Sequence, residues 1–524
     1  MSARSWRLAA QWCAILVSFI SLCCLASCST LNRSTTAEPD KTSTARNVVL
    51  IIPDGMHVNN EIQYSMYQYG VRKGASFHGW PYQCYMTTWD VTTYDKYAWQ
   101  RVQESATSQS TEQYNPAGFD PTIGYDPAIG GTQPREGAPG PEDDYFIRQL
   151  PKWGETVEDG AKEPATDSAS AATAFATGHK TDDGNVAWLP GDPPGGALLT
   201  IAERFRQQIG GAVGSTSTVQ FSHATPACFM THNVNRNNYE EIAGEALTDR
   251  LFDVIIGAGH PAYTLNGDGS PQTRYCPPEF LDTIKANPEY VVVEKQSGSN
   301  GGELLRAAAT QAASSGSKLC GVFGDAGGNL ERIMPLDTPG SPTWDVPGGD
   351  PHADDIAVAA LEVLATNPNG FFLMIEQGDL DWCNHANDYA GSVGCMRDTD
   401  LCAQTVVDWV NQPGDGITLE NTSIIVVPDH THYIRQNEWL GIGDLPQQVG
   451  IEGDPEPYEG SFRYPDAEPY YHSNNHTNEL GNVYIIGGGV AEALANHEGA
   501  WYPNTRIIDN THLYQAMAEW LGVH

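Results

Sequence analysis

The sequence predicts an α/β fold: a mainly parallel central sheet flanked by helices on both faces, with loop insertions. Three runs carry that expectation. "NVVLIIPDG", "GFFLMIEQG" and "TSIIVVPDH" are each continuously apolar rather than alternating, as strands buried on both faces must be. Each delivers an acid at its carboxyl end: Asp54, Glu376, and Asp429 beside His430. Helical stretches such as "DDIAVAALEVLAT" separate them, the order expected of crossover connections. In such sheets ligands bind where the strands end, so three acidic strand ends with a histidine nearby point to a metal site.

The chain begins with a basic start, Arg4 and Arg7, then an apolar run from Leu8 to Leu25 and "LASC" ending at Cys28. Residues 1–27 read as an export signal of the lipoprotein type, with Cys28 as the lipidated first residue of the mature chain. An uncleaved anchor or an ordinary signal peptide are the alternatives, and all three place the body outside the cytoplasm. Residues 28–46 then read as the lipidated cysteine and a polar tether, which leaves 47–524 as one body. Ser29 after the cysteine favours sorting to the outer membrane, facing the periplasm or the cell surface.

The 524 residues carry a formal charge of −37, and removing the leader, with its two arginines and no acids, takes this to −39. That excludes nucleic acid as an expected partner, because phosphate backbones are repelled. Seven of the 11 cysteines lie in the body, an odd number, and they form no CxxC knuckle. If Cys395 and Cys402 share a helix, their separation of about 10 Å forbids a disulfide between them.

Next along the chain, residues from about 93 to 162 form an insertion containing "YDKYAWQRV" and the near-repeat "DPTIGY", "DPAIGG". Its Pro, Gly and aromatic content suggests an ordered loop, either a packed surface element or a lid over a pocket. "EPATDSASAATAFATGHKTDDG" follows. Ser168 reads there as the N-cap of a helix, with its hydroxyl at the positive end of the macrodipole, where an anion or an alkoxide is stabilised. A lone Asp-Ser is usually a plain cap; the remaining motifs give this one more weight.

"FSHATPA" offers His223 and the hydroxyl of Thr225, with Arg236 shortly after. "DLDWCNHAND" sets Asp381 and His385 at i, i+4, on one helix face. Cys383, between them in sequence, faces elsewhere on such a helix and reads as packing. Asp429 and His430 are adjacent at a strand end; His432 and His472 lie close to His430 and His476; and His476 precedes the strand-like "GNVYIIGGG". Singly, each is a satisfied histidine or an exposed carboxylate. Together they form a metal-ligating constellation.

In their order and local spacing, "PDGM", "TDSASAATAFATG", "HATPA", "IEQGDLDWCNHAND", "PDHTH" and "HTNEL" resemble the alkaline phosphatase family over roughly residues 46–524, apart from insertions. The resemblance implies two Zn2+ and one Mg2+. Asp381, His385 and His476 would hold the first zinc, Asp54, Asp429 and His430 the second, and Asp54, Thr225 and Glu376 the magnesium. Ser168 would attack phosphorus, Arg236 would grip the non-bridging oxygens, and Asp167 would position that guanidinium. His223 and Trp382 stand where the family varies, and His432 is an auxiliary residue. The implied activity is hydrolysis of small phosphate monoesters through a phosphoserine, for extracytoplasmic phosphate scavenging, and a homodimer is open. Two metals about 4 Å apart suit an in-line displacement, because one activates the nucleophile while the other stabilises the leaving oxygen. Phosphodiesterases and sulfatases of related architecture use a different nucleophile motif, and a non-catalytic binding lipoprotein is the remaining alternative.

Overall fold

A computed structural model describes residues 45–69, 71–95, 118–127, 165–248, 252–330, 349–436 and 469–524. The expected leader, Cys28 and most of the tether lie outside these residues, as do 96–117 and 128–162 of the insertion. By contacts the chain divides into two units. One is Ser43–Gln412 with Ile417–His524; in the other the described residues are Pro413–Gly416, a turn whose two glycines adopt positive φ.

The strands are β1 (Asn47–Pro53), β2 (Tyr82–Thr87), β3 (Ala212–Gln220), β4 (Val254–Ala258), β5 (Tyr290–Glu294), β6 (Lys318–Val322), β7 (Phe371–Gln377), β8 (Thr422–Val426), β9 (Thr431–Gln436), β10 (Pro469–Thr477), β11 (Gly481–Ile486) and β12 (Ile507–Asp509). Ten of them make one sheet in the order β12-β2-β11-β8-β1-β7-β3-β4-β6-β5. All its pairings are parallel except those of β11, which runs against both β8 and β2. The three motif-bearing strands lie side by side: β1 is hydrogen-bonded to β7 on one edge and β8 on the other. Their acidic ends therefore meet at one rim of the sheet.

The apolar runs fill both faces. Val48, Leu50 and Ile52 join one core cluster, with Phe175 and Phe205 of the helices on that side. Val49 and Ile51 join another, with Leu305, Ile356, Leu361 and Val406 on the opposite side. Strict alternation between two dry layers explains why the strand sequences do not alternate in polarity. A third cluster gathers Trp89, Tyr94, Ile123, Tyr125 and Tyr502. It fixes residues 118–127, where Asp120 caps the short 3-10 turn Pro121–Ile123, against the body.

All seven body cysteines are buried, and none is assigned to a disulfide with another described residue. Cys395 and Cys402 share the helix Tyr389–Val410, which rules out a bond between them. Cys383 Sγ lies 3.8 Å from Cys395 Sγ, on the core side of its helix. Among the described residues no helix is long and apolar enough to cross a membrane.

Candidate active site

β1 ends at Pro53, and the chain turns at Asp54-Gly55. Gly55 has φ +70°, and a Cβ there would stand 2.8 Å from His432 Cδ2 and 3.1 Å from Asp381 Oδ1. Only glycine meets both demands, so the "PDG" turn brings the backbone against side chains of two other elements. Asp429 Oδ1 accepts from Gly55 N–H (3.1 Å) and from His430 N–H (2.8 Å), which leaves Oδ2 facing inward. His430 Nε2 lies 3.4 Å from that Oδ2, 3.2 Å from Asp54 Oδ1 and 3.1 Å from Ser168 Oγ.

Ser168 opens the helix Ser168–Thr177, but it is the first helical residue and not the N-cap as expected. Asp167 takes the cap position, with its side chain accepting from Ser170 N–H. The reason is local: with two capping residues in a row, the carboxylate reaches the third N–H while the serine hydroxyl turns toward His430. The hydroxyl still sits at the positive end of the dipole. Asp167 Oδ2 accepts from Arg236 Nη1 at 2.8 Å. Burial would raise the pKa of Asp167, but the Arg236 charge outweighs it and holds the carboxyl well below its usual range.

The second group of donors surrounds Asp381. His432 Nε2 is 2.6 Å, His476 Nε2 3.2 Å and His385 Nε2 3.4 Å from Asp381 Oδ1, and His385 and His476 Nε2 are 3.0 Å apart. Asp381 and His385 belong to one short helix, Asp379–His385, at i, i+4. His432 and His476 face each other across the antiparallel pair β9–β10. His476 does precede a strand, β11, as its sequence position implies, but it also lies on β10, whose pairing with β9 the sequence does not announce. Asp381, His430, His432 and His476 are all buried and converge closely, as do Asp54, Asp429 and His430.

The tautomers decide what these groups hold. His476 Nδ1 donates to the carbonyl of Thr166 at 2.8 Å, so its Nε2 presents a lone pair to the Asp381 carboxylate and to His385. With His476 neutral, that lone pair and Asp381 Oδ1 are two acceptors 3.2 Å apart, which repel unless a cation lies between them. The residues present fit a divalent ion, with nitrogen and carboxylate donors and a backbone carbonyl orienting the imidazole. Burial, then the charges of Asp381 and Glu376, push Asp54 well above the carboxylate range, and Asp429 is driven the same way by burial and Asp54. Burial pushes Glu376 up to about 7. Such crowding of acids, three of them at β-strand ends and Asp381 on a helix beside them, also calls for compensating positive charge.

Glu376 accepts from the Ser217 hydroxyl through Oε2. Thr225 lies close to it, yet the Thr225 hydroxyl and Glu376 Oε1 are buried without a partner in hydrogen-bonding geometry. With Asp54 they form an all-oxygen group suited to a hard cation. His223 caps the helix Ala224–Met230, one residue from Thr225's neighbour, and its ring stacks on Tyr239 (6.2 Å) and meets Trp382 edge-on (5.9 Å). Burial, then Arg236, lowers it to about 3, so it is neutral.

A family model described as alkaline phosphatase matches residues 131–443, more than half of the chain. The chain belongs to the alkaline phosphatase family. It is 27% identical over 291 residues to alkaline phosphatase 4 of Bacillus subtilis, covering 55% of this chain and 53% of the relative. Against alkaline phosphatase of Escherichia coli it is 26% identical over 309 residues, 52% of this chain and 59% of that one. It thus spans about half the length of the curated relatives it matches. In fold it is similar to the alkaline phosphatase of Thermus thermophilus (TM-score 0.56, 19% identity, 92% of each chain). The same holds for that of the Antarctic bacterium TAB5 (TM-score 0.53, 17% identity, 91% of this chain and 99% of that one).

Proposed function

We propose that this alkaline phosphatase family member hydrolyses phosphate monoesters through a phosphoserine at Ser168, outside the cytoplasm, where it scavenges phosphate. The observation that carries the reading is one helix start where Ser168 Oγ lies 3.1 Å from His430 Nε2, a member of both converging His/Asp groups, and the adjacent Asp167 holds the Arg236 guanidinium. Zn2+ held by Asp381, His385 and His476, a second Zn2+ held by Asp54, Asp429 and His430, and Mg2+ held by Asp54, Thr225 and Glu376 fit these donors. A variant of the TAB5 enzyme was solved with Mg bound in its M3 site, which supports the third ion. When bound, such ions lower the pKa of a serine hydroxyl and stabilise a leaving oxygen.

The chain's own residues supply the rest. Ser168 Oγ, its proton given up to solvent, bonds to phosphorus as the ester oxygen departs with the electron pair and takes a proton from water to leave as the alcohol. The helix N-terminus and Arg236 oppose the charge on the non-bridging oxygens. Asp167 fixes the guanidinium, and water then attacks phosphoserine in line, restoring the hydroxyl and releasing phosphate. Export as an outer-membrane lipoprotein through Cys28 belongs to the same reading and rests on the "LASC" motif; so does assembly as a homodimer, which rests on the family.

The test is turnover of a chromogenic phosphate monoester and the matching diester by residues 29–524 loaded with zinc and magnesium. Monoester turnover should far exceed diester turnover and vanish with chelator or Ser168→Ala. Preference for the diester, or full activity of the Ser168→Ala variant, would overturn the reading.

A further inference from the structure

Asp167 has two carboxylate oxygens and they are not used alike. Oδ2 accepts from Arg236 Nη1 at 2.8 Å. Oδ1 accepts from Ser170 N–H at 2.9 Å and again from the Ser170 hydroxyl at 2.8 Å. Capping the helix needs only the first of these two bonds. The second consumes the remaining lone-pair direction of Oδ1, so the carboxylate cannot swing both oxygens onto the guanidinium. Left free to do so, Asp and Arg would form the favoured bidentate fork and draw the guanidinium away from a phosphoryl group.

The Ser170 hydroxyl is itself held. It is 2% exposed; the Thr166 hydroxyl, at 2.8 Å, can donate to it, and Asp90 Oδ2, at 3.3 Å, is a more distant alternative acceptor for its one proton. Asp90 is anchored by Thr93 N–H, which donates to Oδ1 at 2.7 Å. Asp90 follows Trp89, whose carbonyl and ring both contact the Lys180 ammonium, 4.0 Å from the ring centroid. Trp89 lies 5.2 Å from Tyr94 and 5.9 Å from Phe119, at the described base of the insertion. A packed path thus runs from the insertion's base through Asp90 and Ser170 to the arginine clamp.

We propose that Ser170 is a positioning residue for phosphate recognition: its hydroxyl locks the Asp167 carboxylate in a one-oxygen contact with Arg236, keeping the rest of the guanidinium for the phosphoryl oxygens. The inference rests on the phosphomonoesterase reading and predicts a dependence on Arg236 that a merely structural serine would lack.

The experiment measures the inhibition constant of inorganic phosphate against a chromogenic monoester, in metal-loaded wild type, Ser170→Ala, Arg236→Ala and the double variant. Alanine at the third helical residue keeps helix propensity, so the fold is retained. Loss of one charge-assisted bond should raise the constant about three- to tenfold in the wild-type background. With Arg236 already removed, Ser170→Ala should change it by less than about twofold, since coupled sites are not additive. No effect of Ser170→Ala alone, or an equal effect in both backgrounds, overturns the proposal while leaving the phosphatase reading intact. Absence of wild-type turnover would instead remove the reading on which it rests.

Discussion

His432 and His476 stand side by side on paired strands, yet the positions of their protons give them different work. Asp381 Oδ1 can only accept while ionised, so His432 Nε2, at 2.6 Å, must be the donor and has no lone pair to offer a cation from that nitrogen. His476 spends its proton on the Thr166 carbonyl and offers Nε2. Burial would raise Asp381, but the hydrogen bond from His432 leads the effects that outweigh it and keep the carboxylate well below its ordinary range. On the proposed assignment His432 therefore orients the carboxylate that would hold a metal ion. Substituting it by alanine should lower zinc retained after dialysis and reduce kcat/KM by roughly 10- to 100-fold, with recovery when zinc is added. Metal analysis and activity titration check this; unchanged retention would assign His432 to packing. Sequence spacing identified the histidines, because i, i+4 and adjacent pairs are readable. It could not say which nitrogen of each faces inward, since Thr166 and Asp381 are far away in the chain.

Elements differ in how legible they were, for physical reasons. The buried parallel strands announce themselves through unbroken apolar runs, and the Ser168 helix through small helix formers closed by Gly178 in the left-handed conformation. The cap was off by one residue because two good capping side chains adjoin and only tertiary contact with His430 chooses between them. The pair β9–β10 was missed because "YYHSNNHTN" has no apolar period to announce a strand. Another contact between elements is invisible in sequence. His232 lies between Glu203, which closes the capping box of the helix Ile201–Ile209, and Glu245 of the helix Tyr239–Thr248, at 3.3 and 2.8 Å. Burial opposes its charge, but the two carboxylates outweigh burial and raise the imidazole to about 10. A raised folded pKa stabilises the fold fully below the unfolded value, about 6.5, and the contribution disappears as pH climbs through about 10. The thermal midpoint of His232→Asn should thus trail wild type most near pH 6, with the gap closing steadily toward pH 10. Thermal unfolding followed by circular dichroism across that range decides it; a gap independent of pH would mean that His232 acts through packing alone.

At the scale of the molecule, a chain with a formal charge of −37 has a site proposed to receive dianions. Near field and far field then have opposite signs. Close in, divalent ions together with Arg236 would outweigh the carboxylates Asp54, Glu376, Asp381 and Asp429, because bound ions dominate a local potential. Farther out, the acidic surface repels an approaching monoester. The two are separable by salt, because the Debye length falls from about 30 Å at 0.01 M to about 8 Å at 0.15 M. Screening over that range removes the distant repulsion and leaves interactions inside a buried site largely intact. With a monoester dianion, kcat/KM should therefore rise several-fold between these ionic strengths, while kcat, measured on substrate already bound, changes little. The rise should be absent for a substrate analogue without net charge, which controls for effects of salt on the protein itself. A steep fall in kcat/KM would show that the attraction of the site governs encounter even at long range, and that the acidic surface does not oppose the substrate's approach.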